Sequence, residues 1–260
     1  MEIRSERFEK LFNSGKKLLS IYLTAGYPNL DDTIPTLQAL EQYGVDFVEI
    51  GMPYSDPLAD GTTIQQSSQV AIKNGMNLNL LFEQIHKARE TVNMPIVYMG
   101  YLNQLMQFGL KEFCQKCHDS GIDALIIPDL PMDIYESEYK AIFDQYNLGI
   151  SFLISPQSGQ QRINEADRLS YPFLYQVSSN AITGAQTAIT NSQIEYFARI
   201  DGMGLKSPKM IGFGISNKAT FDQACERASG AIIGSAFIKA ISSKGELKQK
   251  IEKFVKSIRS

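Results

Sequence analysis

The sequence has few of the side chains that bind metals: two histidines, His86 and His118, and three cysteines. The string CQKCH, Cys114 to His118, matches the c-type haem attachment motif. However, it lies in a stretch with the pattern of a polar helix that ends at Gly121, and one CxxC pair offers too few ligands for a structural metal site. We therefore expect no metal and no haem, and cysteines that pack as small apolar side chains.

Long apolar runs and a strong net charge are also missing. No run of about eighteen apolar residues is present to span a membrane, and the N-terminal MEIRSERFEK is too charged for a signal peptide. The formal net charge of -3 argues against a nucleic-acid-binding surface. These absences predict a cytoplasmic protein that contacts neither membranes nor nucleic acid.

Short apolar runs alternate with amphipathic stretches of helical length along the 260 residues. Eight runs have the pattern of buried strands: 18–23, 47–50, 95–98, 124–127, 150–154, 173–177, 210–213 and 231–233. They predict an α/β fold, a single (β/α)8 TIM barrel that spans residues 1–260 as one domain. Phe8, Leu11 and Phe12 lie at helical spacing and predict an extra N-terminal helix. An open doubly wound sheet is the rival fold, but its Gly-rich turn is absent after the first strand.

One stretch, residues 45–61, carries two acids in a setting that suggests chemistry. It reads VDFVEIGMPYSDPLADG, and Glu49 lies inside its apolar, strand-like first part. Burial of an unpaired carboxylate is costly or raises its pKa, so such an acid needs a partner or a task. Asp60 follows on the next loop and can face the same cavity. Two alternatives stay open: Glu49 can belong to a structural ion pair, and Asp60 can be an ordinary turn residue.

In a barrel of this kind the active site lies at the carboxyl ends of the strands and on the loops that follow them. The predicted strand ends are aromatic and acidic, without lysine or histidine: Tyr22, Thr24, Glu49, Tyr98, Tyr101, Asp129 and Tyr175. A Schiff-base aldolase needs a lysine inside the barrel, and a metal-dependent aldolase needs clustered histidines. We expect all lysines in helices or loops, which leaves carboxylate acid–base chemistry on a flat aromatic substrate.

Two glycine-containing segments follow the last two predicted strands. They are GFGIS, residues 212–216, and GSAFIK, residues 234–239, with Ser235 as the expected N-cap of a helix. These loops are the usual phosphate site of such barrels, because glycine lets backbone N–H groups approach an anion. Tight turns without a ligand are the alternative. Residues 178–192 predict a lid, in which Thr183 and Gly184 would cover the phosphate end.

Six motifs, in order along nearly the whole chain, resemble those of the tryptophan synthase alpha chain family. They are LTAGYP at 23–28, EIGMPYSDPLADG at 49–61, IIPDLP at 126–131, ITGA at 182–185 and the two glycine-containing segments. The resemblance implies a lyase that cleaves indole-3-glycerol phosphate into indole and glyceraldehyde 3-phosphate, the alpha reaction of L-tryptophan biosynthesis. It also implies that Glu49 is the acid–base residue and that Asp60 assists it.

The resemblance further implies which residues bind the substrate. Positions at the indole pocket are matched by Tyr22, Ile64, Tyr101 and Tyr175, and positions at the phosphate end by Thr183, Gly184, Phe213, Gly214, Gly234 and Ser235. To these we add Asp129, an acid of the predicted rim. Within the lid, Ala181 replaces the first glycine of the usual GVTG, and Ser179 or Asn180 stands near a usual arginine.

Members of this family need no cofactor in the alpha chain and hold no metal there. They work with a beta chain that carries pyridoxal phosphate, usually as an αββα heterotetramer, and indole passes to that chain through a tunnel.

Two other functions stay open. One is an isomerase of a related indole or sugar phosphate, which would need a further acid or base besides Glu49, Asp60, Asp129 and the tyrosines. The other is a barrel that only binds ligand and activates a beta chain, for which Glu49 would not be needed.

Overall fold

The computed structural model of the chain describes residues 5–57, 59–177, 190–212 and 214–260. The strands in these ranges are β1 (Leu18–Thr24), β2 (Phe47–Gly51), β3 (Ile96–Met99), β4 (Ala124–Ile126), β5 (Gly149–Ile150), β6 (Leu153–Ile154), β7 (Leu174–Val177), β8 (Lys209–Gly212) and β9 (Gly230–Ile233).

The α-helices in the same ranges are α1 (Glu6–Phe12), α2 (Thr33–Gln42), α3 (Thr62–Lys73), α4 (Leu78–Ala88), α5 (Leu102–Phe108), α6 (Leu110–Ser120), α7 (Met132–Ile134), α8 (Lys140–Gln145), α9 (Gln160–Leu169), α10 (Asn191–Asp201), α11 (Lys218–Ala224), α12 (Ser235–Ser242) and α13 (Leu247–Arg259). A 3₁₀-helix at Leu30–Asp32 precedes α2, and a π-helical turn at Tyr135–Tyr139 joins α7 to α8. Among the described residues, no helix is both long and apolar enough to cross a lipid bilayer.

All nine strands form one parallel sheet in the order β5-β4-β3-β2-β1-β9-β8-β7-β6. The two edge strands are pieces of one short stretch, separated only by Ser151 and Phe152. The Ser151 N–H donates to the Leu125 carbonyl at 2.9 Å, whereas the Phe152 carbonyl accepts from the Tyr175 N–H at 3.0 Å. The sheet therefore closes on itself, and the predicted (β/α)8 barrel is confirmed. The fifth predicted strand, 150–154, is split because its backbone changes partner halfway along.

Three phenylalanines close the amino-terminal end of the barrel. Side chains alternate along each strand, so Phe47 of β2 points into the barrel, and so does Phe173, which directly precedes β7. Their ring centroids lie 5.4 Å apart, and Phe8 of α1 packs on both at 5.4 and 6.3 Å. The predicted N-terminal helix thus exists in the described residues. It seals the end of the barrel opposite the carboxyl ends of the strands.

The CxxC stretch is a buried face of helix α6. Cys114 and Cys117 are completely buried, and the helix ends at Gly121, which adopts the left-handed conformation with φ of 83°. Burial raises the pKa of the Cys114 thiol to about 12. A thiol with so high a pKa is a poor nucleophile near neutral pH, so the predicted packing role of these cysteines is confirmed.

One prediction about the lysines was wrong. Lys209 is the first residue of strand β8 rather than part of a helix or loop. Its ammonium group lies 2.8 Å from the Asp201 carboxylate. Because Lys209 opens its strand, it lies at the amino-terminal end of the barrel and supplies no amine at the carboxyl ends of the strands.

Candidate active site

Glu49 lies inside the barrel without exposure to solvent. It pairs in register with Tyr22 of β1 on one side and Val97 of β3 on the other. Burial raises the pKa of Glu49 to about 8. Neither carboxylate oxygen has a hydrogen-bond partner in the part of the chain that the structure describes. The described residues thus offer no partner for the structural ion pair that the sequence left open.

Asp60 lies near the end of the loop that follows β2 and is 7% exposed. Burial raises its pKa to about 6, and a hydrogen bond from Tyr101 opposes that rise. The Tyr101 hydroxyl accepts from the backbone N–H of Ala59 at 3.0 Å. Because that N–H can only donate, the single phenolic proton is left for the Asp60 carboxylate.

Two tyrosines, Tyr22 and Tyr175, interact electrostatically with both acids. Tyr22 enters from β1 and Tyr175 from β7, and burial raises the pKa of each phenol well above its usual range. The negative charges of both Asp60 and Glu49 raise these two pKa values further. Each phenol therefore lies within electrostatic reach of both carboxylates, and both phenols stay neutral. The result is a buried cluster of two acids and two tyrosines.

Glycines make room for these tyrosines, a role that the sequence did not reveal. A Cβ added to Gly51 would collide with the Tyr22 phenol, and a Cβ added to Gly212 would collide with the Tyr175 phenol. Each glycine lies on the strand next to its tyrosine, two residues beyond the level of the ring's own Cα. Strand pairing is the only signal that could have linked them, and it is not local in the chain.

The phosphate end is only partly described. The segments after β8 and β9 lie side by side, because the two strands pair. Gly214 has a φ of 76°, which favours glycine. Helix α12 begins at Ser235 with Gly234 as its N-cap, so the expectation that Ser235 is the cap was wrong. Ile64 lies near Gly234, with its Cδ1 at 3.7 Å from a Cβ placed on that glycine.

Several predicted residues lie outside this arrangement. Thr183, Gly184 and Phe213 lie outside the described residues, as does the expected lid up to residue 189. Asp129 is exposed, and its carboxylate accepts the backbone N–H of Leu102 at 2.9 Å. That bond supports the start of α5 and uses one carboxylate oxygen for a structural contact.

Comparisons with known proteins agree on one family. Residues 8–259 match the family model described as "Tryptophan synthase alpha chain". The tryptophan synthase alpha chain of Flavobacterium johnsoniae is 53% identical over 253 residues, which cover 97% of this chain and 99% of the relative. That of Bacteroides thetaiotaomicron is 48% identical over 248 residues, covering 95% and 97%.

Solved structures agree with the sequence comparisons. The tryptophan synthase subunit alpha of Legionella pneumophila superposes with a TM-score of 0.89 at 28% identity, covering 98% of both chains. A chain of the tryptophan synthase complex from Pyrococcus furiosus gives a TM-score of 0.84 at 31% identity, covering 93% of this chain and 97% of that one.

Proposed function

This chain belongs to the tryptophan synthase alpha chain family, and we propose on that basis that Glu49 and Asp60 carry out the family's lyase reaction in it. The reaction cleaves indole-3-glycerol phosphate into indole and glyceraldehyde 3-phosphate, a step of L-tryptophan biosynthesis. The observation that carries the assignment of residues is Glu49, a fully buried carboxyl with a raised pKa and no hydrogen-bond partner among the described residues.

Glu49 is the acid–base group of this proposal. The bond that breaks joins C3 of the indole to the hydroxyl-bearing carbon of the glycerol phosphate chain. Protonation of C3 makes the indole a leaving group, and removal of the hydroxyl proton lets the aldehyde form. A pKa of about 8 keeps both forms of Glu49 populated near neutral pH, so the carboxyl can donate one proton and accept another.

Asp60 stabilises the charge that this protonation creates. Protonation at C3 places positive charge on the ring nitrogen, and a carboxylate that accepts the ring N–H stabilises that charge. A carboxylate with a pKa of about 6 is mostly ionised at neutral pH. The Tyr101 hydroxyl, which lowers the pKa of Asp60, helps to keep this carboxylate ionised, and a phenol has only one proton to donate, so carboxylate lone pairs remain for the substrate.

The other residues bind and orient the substrate. We propose that Tyr22, Tyr101, Tyr175 and Ile64 line the indole pocket and that Gly214, Gly234 and Ser235 bind phosphate together with Thr183, Gly184 and Phe213. Backbone N–H groups at glycines and at the start of α12 suit an anion. Asp129 also binds the substrate in this proposal, and one of its carboxylate oxygens already accepts the Leu102 N–H.

The solved complex from Pyrococcus furiosus supports a partner for this chain. We propose a beta chain that holds pyridoxal phosphate, an αββα heterotetramer and transfer of indole to the beta chain. In this proposal the alpha chain needs no cofactor of its own and works in the cytoplasm as one domain.

The test is release of glyceraldehyde 3-phosphate from indole-3-glycerol phosphate by the purified chain, with and without a beta chain. We expect slow turnover by the chain alone and strong acceleration by the partner. Absence of turnover in both cases would overturn the proposal, and conversion to an isomer without release of indole would favour the related isomerase.

A further inference from the structure

Helix α5 carries a side chain that ties two loops of the site together, and this inference rests on the function proposed above. We propose that Gln104 is a positioning residue that fixes Asp60 in its catalytic orientation by holding Tyr101 and the described parts of the loop after β2, residues 52–57 and 59–61. Gln104 acts on Asp60 indirectly. It bonds to the start of that loop and to the backbone of Tyr101, and the Tyr101 hydroxyl bonds to the end of the loop.

The first contact is made by the Gln104 amide. Its Oε1 accepts from the backbone N–H of Tyr101 at 3.0 Å, and its Nε2 donates to the backbone carbonyl of Pro53 at 3.1 Å. Tyr101 is the N-cap of α5, in the loop after β3, whereas Pro53 lies near the start of the loop after β2. One partly buried amide therefore joins the two loops with both of its polar atoms.

The second contact is made by the Tyr101 ring. Its hydroxyl accepts from the Ala59 N–H at 3.0 Å, at the far end of the same loop, and the same hydroxyl lowers the pKa of the neighbouring Asp60. The ring of Tyr54, in the middle of the loop, stacks on that of Tyr101 at 5.0 Å and 26°. The loop is thus held by Gln104 at its start and by Tyr101 at its end, while Gln104 also fixes the backbone of Tyr101.

This arrangement predicts a change at Asp60 when the Gln104 amide is removed. The Tyr101 hydroxyl stabilises the ionised form of Asp60, because it donates to the carboxylate. If Tyr101 and Ala59 separate, that stabilisation weakens and the pKa of Asp60 rises. The other titratable groups around this end of the pocket are Tyr22 from β1, Glu49 from β2, Tyr175 from β7 and Asp129 after β4. The two side-chain hydrogen bonds of Gln104 among the described residues go to backbone atoms of Tyr101 and Pro53 and to none of these groups.

The alternative is a purely structural role. Gln104 occupies the third position of α5, and its side chain accepts the backbone N–H of the N-cap residue Tyr101, a contact that stabilises helix starts. A cap alone would change the free energy of unfolding and leave Asp60 as it is. The ionisation of Asp60 therefore separates the two roles.

The experiment follows the Asp60 carboxyl by 13C NMR titration without substrate and measures lyase kinetics in parallel. Gln104→Met keeps the length of the side chain and removes both hydrogen bonds. We expect a higher pKa for Asp60, in the same direction as in Tyr101→Phe, and a kcat/KM about tenfold to a hundredfold lower. In the double variant Gln104→Met/Tyr101→Phe, we expect no rise in that pKa beyond the rise in Tyr101→Phe. Gln107→Met, an exposed glutamine of the same helix, is the matched control and should change neither quantity.

An unchanged Asp60 pKa in folded Gln104→Met, with only a lower stability, would overturn the proposal and leave a helix cap. If that variant does not fold, Gln104→Glu retains the acceptor for Tyr101 and loses the donor to Pro53. It should raise the Asp60 pKa more than Gln107→Glu, which adds the same charge one turn away, and an equal rise would contradict the proposal. Because the titration needs no turnover, an inactive wild-type chain would refute the proposed lyase function without deciding the role of Gln104.

Discussion

Glu49 and Tyr22 enter the barrel side by side, because strands β2 and β1 pair with residue 49 in register with residue 22. Both side chains are buried, and burial raises the pKa of both groups, that of Glu49 to about 8. At neutral pH the Tyr22 phenol and most of the Glu49 carboxyl therefore carry no charge. The barrel holds a proton on Glu49 where an ordinary carboxyl would have lost it.

This retained proton makes stability depend on pH. In the unfolded chain, Glu49 loses its proton near its ordinary pKa of about 4.3. In the folded chain it keeps the proton up to about pH 8. Between these values the unfolded chain binds fewer protons, so the free energy of unfolding falls as the pH rises. Glu49→Gln should therefore become more stable relative to wild type by a few kcal/mol between pH 4.5 and pH 8.5, measured by urea unfolding.

The control for this prediction is Glu138→Gln, which changes an exposed glutamate. Its stability relative to wild type should be nearly constant over the same range. A constant difference between Glu49→Gln and wild type would mean that Glu49 ionises in the folded chain as it does in the unfolded chain.

Gly51→Ala should damage the site by moving Tyr22. A Cβ at this position collides with the Tyr22 phenol, because the backbone of β2, paired with β1, fixes the direction of that Cβ. We expect a loss of about 1–3 kcal/mol in the free energy of unfolding, together with a higher KM for indole-3-glycerol phosphate. Gly159→Ala is the matched control, because a Cβ there meets no atom within 4 Å. Equal behaviour of the two variants would contradict the close packing of Tyr22 on Gly51.

Asp123 stabilises the opposite end of the barrel. Its buried carboxylate accepts from Ser5 Oγ, Arg7 Nη1, Arg89 Nη2 and the Ile96 N–H, at 2.8–2.9 Å. Asp123→Ala should lower the free energy of unfolding by about 3–5 kcal/mol, because it leaves buried donors without an acceptor.

A measurement of turnover distinguishes this loss of stability from an effect on the active site. The turnover of folded Asp123→Ala should equal that of wild type, whereas the exposed Asp119→Ala should change neither stability nor turnover. A large loss of kcat in folded Asp123→Ala would connect this end of the barrel to the chemistry.

The parts of the fold that could be predicted from the sequence are those set by local pattern. Most residues of the barrel strands are buried on either face, so these strands are mainly apolar runs between polar stretches. Glu49 stands out because such runs rarely contain an acid. The break between β5 and β6 could not be predicted, because it depends on which strands the backbone of Ser151 and Phe152 bonds to. Those partners lie tens of residues away in the chain.

The same limit applies inside the site. Glu49 and Asp60 could be found because they are neighbours in sequence and unusual in their surroundings. Gly51 gave no such signal, since its role depends on a ring that enters from strand β1. Gln104 resembled any other polar residue at the start of a helix. Its two bonds become meaningful only when the loops after β2 and β3 lie side by side.

The most direct test of the mechanism compares wild type with Glu49→Gln in the release of glyceraldehyde 3-phosphate from indole-3-glycerol phosphate. The substitution keeps the size of the side chain and removes its acid–base function. We predict a loss of at least about a thousandfold in kcat with binding of glyceraldehyde 3-phosphate retained. A Glu49→Gln variant that keeps most of the wild-type turnover would contradict the assignment of Glu49 as the acid–base group.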